Sequence, residues 1–160
     1  MLPLKTTIRG PAQQAEVGEE DIIDETLFFF RANVLFRNYF IEGGADRTLI
    51  YLTLHAVQCL VKVEKIDDKA TALRELRSLS KDRPFTCPGD GGFPLNGMFP
   101  SAANKADGDL FKSYMKQARE ELAVRLVEKL FDDRDNGSKS KWWQSFSKRK
   151  FMGKELNDGR

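Results

Sequence analysis

Apolar residues recur at helical spacing over most of this chain, and nowhere do they alternate in the manner of a strand. From about Asp21 to Tyr39 the spacing predicts a first helix with two apolar stripes, Ile23, Leu27, Phe30 and Val34 on one side and Ile22, Phe29 and Phe36 on another. Asp24, Arg31 and Asn38 form a narrow polar strip between them. Three consecutive phenylalanines, Phe28 to Phe30, spread over roughly two thirds of a helix circumference, because each residue turns by about 100°. No single packing face can take all three. This helix is therefore expected to be covered on at least two sides, by the chain itself or by another protein.

Gly43 and Gly44 stop that helix, and Asp46 is the expected N-cap of a second one running from Arg47 to about Lys65. Its middle, LIYLTLHAVQCLVKV, is apolar nearly all round, as befits a central helix enclosed by others. Thr53, His55, Gln58 and Lys62 interrupt a run already too short to span a bilayer. A third helix is expected from about Lys69 to Leu79, with Leu73, Leu76 and Leu79 at useful spacing. A long helix should begin at Asp107 or Asp109 and end near Phe131. Its face is Phe111, Tyr114, Met115, Ala118, Leu122 and Leu126, backed by Lys116 and Glu120, and its far end should be the more enclosed. After the polar turn DDRDNGSK, a last short helix is expected with Trp142 and Trp143 following Ser140.

Between the third and fourth helices, Arg83 to Lys105 carries four prolines and four glycines. A loop of this length is either functional or pinned by its own apolar residues. Phe85, Phe93, Leu95, Met98 and Phe99 are the expected pins, or a partner's footholds. The expected fold is thus all-α, a compact bundle of about five helices with one central helix. We read one domain over 1–160, with an extended N-terminal segment at 1–20, a long loop at 83–105 and a basic C-terminal segment at 138–160. At 160 residues the chain suits one core better than two.

Charge sharpens the picture through its distribution. The net charge is only +2, yet the stretch from Glu16 to Glu25 holds six acids and no base, while Ser138 to Lys154 holds no acid. The acids stand at helix starts, where they favour the helix dipole. Cys59 and Cys87 form no CxxC pair, so a disulfide framework or zinc site is not suggested and a reducing compartment is the natural reading. The N-terminus lacks the apolar core of a signal peptide, which points to the cytosol. In that setting the Asn136-Gly137-Ser138 sequon reads as a polar turn.

Catalytic chemistry finds little to work with. The one histidine, His55, lies in the middle of the expected central helix and reads as a core residue held by a neighbour. Gly89 to Gly92 lacks the lysine and hydroxyl ending of a phosphate loop. A calcium loop starting at Asp132 would place Arg134 at its third position and Trp143 at its twelfth, which fails. The segment KSKWWQSFSKRKFMGK is the strongest local binding signal, since aromatics among bases suit nucleic acid or an acidic protein surface. Alternatively, the tryptophans pin the tail and the lysines face water.

Three stretches, ADRTLIYLTLHAVQCL, GFPLNGMF and SKWWQSFSKRKFM, in this order and at these separations, resemble subunit 3 of the actin-related protein 2/3 complex, a family of about 21 kDa. DETLFFFRANVLFRNY fits that family's first helix, and the similarity runs from about Leu2 to Leu156. The resemblance implies an all-helical, non-enzymatic structural subunit of a seven-protein assembly that nucleates branched actin filaments. It implies no cofactor and no metal, because nucleotide binding in that assembly belongs to the two actin-related subunits. It further implies packing against actin-related protein 3, proximity to the mother filament, residence in the cytoplasmic actin cytoskeleton, and a short segment ahead of the part matching Leu2-Pro3-Leu4. Under this reading the expected partner contacts are Phe93, Pro94 and Leu95 in the loop and Lys139, Lys141, Lys148, Arg149 and Lys150 in the tail, with Trp142 and Trp143 beside them as contacts or as pins. The competing class is a nucleic-acid-binding helical module using the basic aromatic tail. A third, an enzyme centred on His55, would lose activity on His55→Ala. Overall, more apolar area is encoded than a bundle of this size is expected to hide by itself.

Overall fold

The computed structural model describes residues 1–81, 85–132 and 136–156. Five α-helices follow one another among the described residues: α1 (Ile22–Asn33), α2 (Gly44–Lys62), α3 (Lys69–Lys81), α4 (Lys105–Leu130) and α5 (Lys141–Gln144). Two short 3-10 turns, Ser145–Lys148 and Phe151–Gly153, complete the tail. An isolated bridge between Leu4 and Gln14 is the one β-type pairing among the described residues. The all-α bundle expected from periodicity is what forms.

α2 is the central element, in contact with α1, α3, α4 and both 3-10 turns. It is buried all round because its polar residues are satisfied locally. The Thr48 and Thr53 hydroxyls donate to the carbonyls of Gly44 and Leu49 one turn back, so neither carries an unpaired group into the core. The helix starts three residues earlier than expected, with Gly43 as N-cap. Asp46 sits inside the helix and reaches back, its carboxylate accepting from the Glu42 and Gly43 amides at 2.9 Å each. A carboxylate one turn in reaches back to the amides at and before the cap, where one at the cap would have taken those of the first turn.

α1 opens on a reciprocal cap: Asp21 accepts from the Ile23 and Asp24 amides, while Asp24 accepts from the Asp21 amide. It ends at Asn33, not Tyr39. Beyond it Leu35 and Phe36 close two tighter turns, and Tyr39 packs edge-on against Phe151 of the tail with centroids 6.4 Å apart. No proline or glycine stands between Val34 and Tyr39. α4 begins at Lys105, capped by Asn104, whose side chain accepts from the Asp107 amide at 2.9 Å.

The N-terminal segment folds back on itself through Leu4–Gln13 and Ala15–Leu4 backbone bonds and lies along α4. Gln117 of α4 grips it at both ends, donating to the Ile8 carbonyl and accepting from the Ala12 amide. Tyr114 donates to the Leu2 carbonyl, and its burial pushes the phenol up to about 12. The decisive fastening is Arg125. It donates to Asp21 at 2.7 and 2.9 Å, to Asp24 at 2.9 Å, to Glu121 at 2.8 Å and to the Lys5 carbonyl. The Asp21 side chain is wholly buried. Burial raises its carboxyl pKa, but the Arg125 bond and the backbone amides of Asp24 and Lys5 outweigh this and hold it below the usual value. Acids read as helix-dipole partners thus also clamp α1, α4 and the arm together.

Candidate functional site

The proline- and glycine-rich segment folds as a small aromatic lobe against α2 and α4. Phe93 stacks on Tyr51, with centroids 6.3 Å apart, and meets Phe99 and Phe111 edge-on. Phe93 is 3% exposed and Leu95 is fully buried, so both expected partner contacts are consumed by the chain's own core. Pro94 remains half-buried, its carbonyl accepting from Lys154 at 3.2 Å. The same apolar character that suggested footholds serves as pins, as Phe85, Met98 and Phe99 also do. The first positions of the expected loop, 83–84, and the last of the tail, 157–160, lie outside the described residues, as does position 134 of the rejected calcium loop.

His55 is fully buried, and its ring is satisfied on both edges. Gln58 donates its amide to the Leu156 carbonyl at 3.1 Å, which leaves its oxygen to accept from His55 Nδ1 at 2.9 Å. Nε2 is then the acceptor for the Cys59 thiol, with Sγ at 3.4 Å, while the Ser80 hydroxyl 3.3 Å away donates to the Leu76 carbonyl. Burial, joined by the nearby Arg119 charge, holds the imidazole pKa well below 6.5. Burial likewise pushes the Cys59 thiol up to about 12, so no thiolate stands beside the ring. This constellation is a neutral structural bridge between α2, α3 and the tail, as the core reading of His55 requires. Among the described residues, no three His, Cys, Asp or Glu side chains gather where they could hold a metal ion. Nor is any helix long and apolar enough to cross a membrane. A shallow groove of about 320 Å³ beside the arm is lined in part by Lys5, Arg77 and Glu121. Its two cations are engaged by Asp24 and Glu120, which leaves little charge for a ligand.

The tail divides. Trp143 is buried, stacked on Phe30 with centroids 5.5 Å apart, and Phe146 meets the same ring edge-on at 5.7 Å. Trp142, leaning on Trp143 and Phe146, remains 46% exposed. Lys141, Lys148 and Arg149 are exposed; Lys150, also exposed, pairs with Glu155 at 2.9 Å. Lys139 is no surface cation. Its side chain is 11% exposed, and its ammonium donates to the carbonyls of Val63, Glu64 and Ile66.

What the fold leaves bare is the outer side of α1. Ile22, Ile23, Leu27, Phe30 and Val34 are buried, whereas Phe28, Phe29 and Phe36 are 77%, 47% and 51% exposed. Leu35 and Phe40 extend the strip past the helix end. The expected second stripe is therefore split, with Ile22 turned inward and Phe29 and Phe36 outward. The expected polar strip is displaced, since Asp24 is drawn into the Arg125 clamp. Fully covering one such ring is worth about 1.5–3 kcal/mol, so a strip of several is a large unused driving force. Phe28 was legible as one of the three consecutive rings, but Leu35 belonged to neither stripe of a helix expected to run to about Tyr39, and Phe40 lay just past its expected end.

Fold and surface together define an all-α domain with a closed core, an unpartnered aromatic ridge and a basic tail seated beside the same helix. A family model described as P21-Arc, the ARP2/3 complex ARPC3 (21 kDa) subunit, matches residues 1–156. The chain is 46% identical to actin-related protein 2/3 complex subunit 3 of Schizosaccharomyces pombe, covering 98% of this chain and 88% of that one. It is 42% identical to subunit 3 of Dictyostelium discoideum, over 98% and 88% of the two chains, and 42% identical to that of Arabidopsis thaliana, over 95% and 86%. The chain belongs to the actin-related protein 2/3 complex subunit 3 family.

Proposed function

We propose that this chain is a non-catalytic structural subunit of the actin-related protein 2/3 complex in the cytoplasmic actin cytoskeleton, supporting the nucleation of branched filaments. Its partners are the other members of the assembly. The ridge of Phe28, Phe29, Leu35 and Phe36 packs against actin-related protein 3, and the tail cations Lys141, Lys148 and Arg149 face an acidic actin-type surface toward the mother filament. The bare ridge carries this reading: a closed core with Phe28 and Phe29 exposed on α1 and Phe36 exposed just past its end calls for a protein neighbour. Arg31 and Arg37, exposed along the ridge, favour a neighbour with an acidic rim.

Native pull-down of the wild-type chain should recover six companions, two of them actin-like. Phe29→Asp with Phe36→Asp should leave helicity unchanged and lose those companions, and Lys148→Glu with Arg149→Glu should weaken association while sparing the fold. Recovery of the wild-type chain alone, or an undiminished assembly with both ridge positions charged, would overturn the proposal. Exposed Trp142, in the same tail as exposed Lys141, Lys148 and Arg149, keeps a nucleic-acid module as the competing reading, which demands binding to single strands that falls steeply with salt.

A further inference from the structure

The last turn of α2 ends in carbonyls with no helical partner, as every helix does. Just past that turn three further carbonyls, of the C-cap Val63 and of Glu64 and Ile66 beyond it, converge on a single point and receive the Lys139 ammonium at 2.9, 2.7 and 2.9 Å. Asp67 stands 3.3 Å away on the solvent side. An ammonium has three N–H donors and no acceptor, so three carbonyls saturate it. The negative end of the helix dipole adds to the attraction. Asn136 and Gly137, both in the left-handed region with φ of 55° and 73°, turn the chain so that Lys139 can enter.

We infer that the end of α2 is a preformed cation site, filled by the chain's own Lys139, and that this latch sets the position of the tail. Immediately after it the Ser140 amide donates to Leu130, Ser140 caps α5, and Gln144 donates to the Leu60 carbonyl on the same end of α2. Trp143 and Phe146 then reach Phe30 of α1. Lys139 is therefore a positioning residue for exposed Trp142, Lys148 and Arg149. The latch acts on the tail whatever molecule the tail meets. An emptied site should accept a small primary ammonium, which carries the same three donors, and reject a quaternary one, which carries none.

The test uses the full chain. Lys139→Ala and Lys139→Met should keep the circular dichroism of the four long helices while amide exchange at Ser140 to Gln144 rises by about tenfold or more, the scale of a lost charge-assisted hydrogen bond. In the alanine variant methylammonium should bind the emptied site and shift the amide signals around Val63 to Asp67, and tetramethylammonium at equal ionic strength should not. In the wild-type chain the nitrogen-15 signal of the Lys139 ammonium should show slow proton exchange with water, which keeps the latch testable if the variants fail to fold. Unchanged tail protection in Lys139→Met, equal effects of the two ammonium ions, or a fast-exchanging Lys139 signal would overturn it.

Discussion

Arg125→Met is the sharpest probe of how this fold is held. The guanidinium is 17% exposed at its side chain and supplies both oxygens of Asp21, whose carboxylate is entirely buried. Methionine preserves much of the volume and removes every donor. The carboxylate keeps the amides of Lys5, Ile23 and Asp24 but loses its cation. Breaking a buried pair from one side costs about 3–5 kcal/mol, and the surviving amide bonds put this case near 3. That is about a hundredfold in the folding equilibrium, or a urea midpoint lower by about 1–2 M. The acid limb should move as well. In the wild-type chain the lowered Asp21 pKa gives stability that is present above the ordinary value of 3.8 and lost as pH falls through the folded pKa. Without Arg125, burial raises the carboxyl with less opposition, so the loss should begin at higher pH. Urea titrations from pH 7 to pH 3, with Asp21→Asn and the double variant completing a cycle, would measure both effects. A loss under about 1 kcal/mol together with an unmoved acid limb would refute the clamp.

His55 gives a second pH signature. Because burial depresses its folded pKa below 6.5, the unfolded chain binds a proton first, and stability should fall by up to about 1.4 kcal/mol per pH unit below that value. His55→Gln should flatten the slope between about pH 6.5 and 5 in chemical denaturation, and an unchanged slope would assign it elsewhere. Phe93→Ala should cost about 3–5 kcal/mol in thermal or urea unfolding, as a stacked core ring does; a change within about 0.5 kcal/mol would return that residue to the surface.

The four long helices, α1 to α4, were legible because burial imposes a helical period on the sequence. Their ends were less so. α1 stops at Asn33, and beyond it Tyr39 meets Phe151, a contact between residues more than a hundred positions apart that no local pattern records. The Asp21–Arg125 clamp was hidden for the same reason, since its partners stand 104 residues apart and each alone looks like ordinary helix charge. In the tail and loop, residue type was legible and direction stayed open between pin and partner contact. An apolar loop residue and a lysine can each point inward or outward, and only the finished fold decides that Phe93 and Lys139 point in.

The clamp also bears on how the molecule comes into being. A ribosome delivers Asp21, its cap and the arm long before Arg125 is synthesised, so a buried acid must wait for a cation that arrives late in translation. Until α4 has emerged, the first part of the chain can coil but cannot close, and the domain must reach its final form only after synthesis is nearly complete.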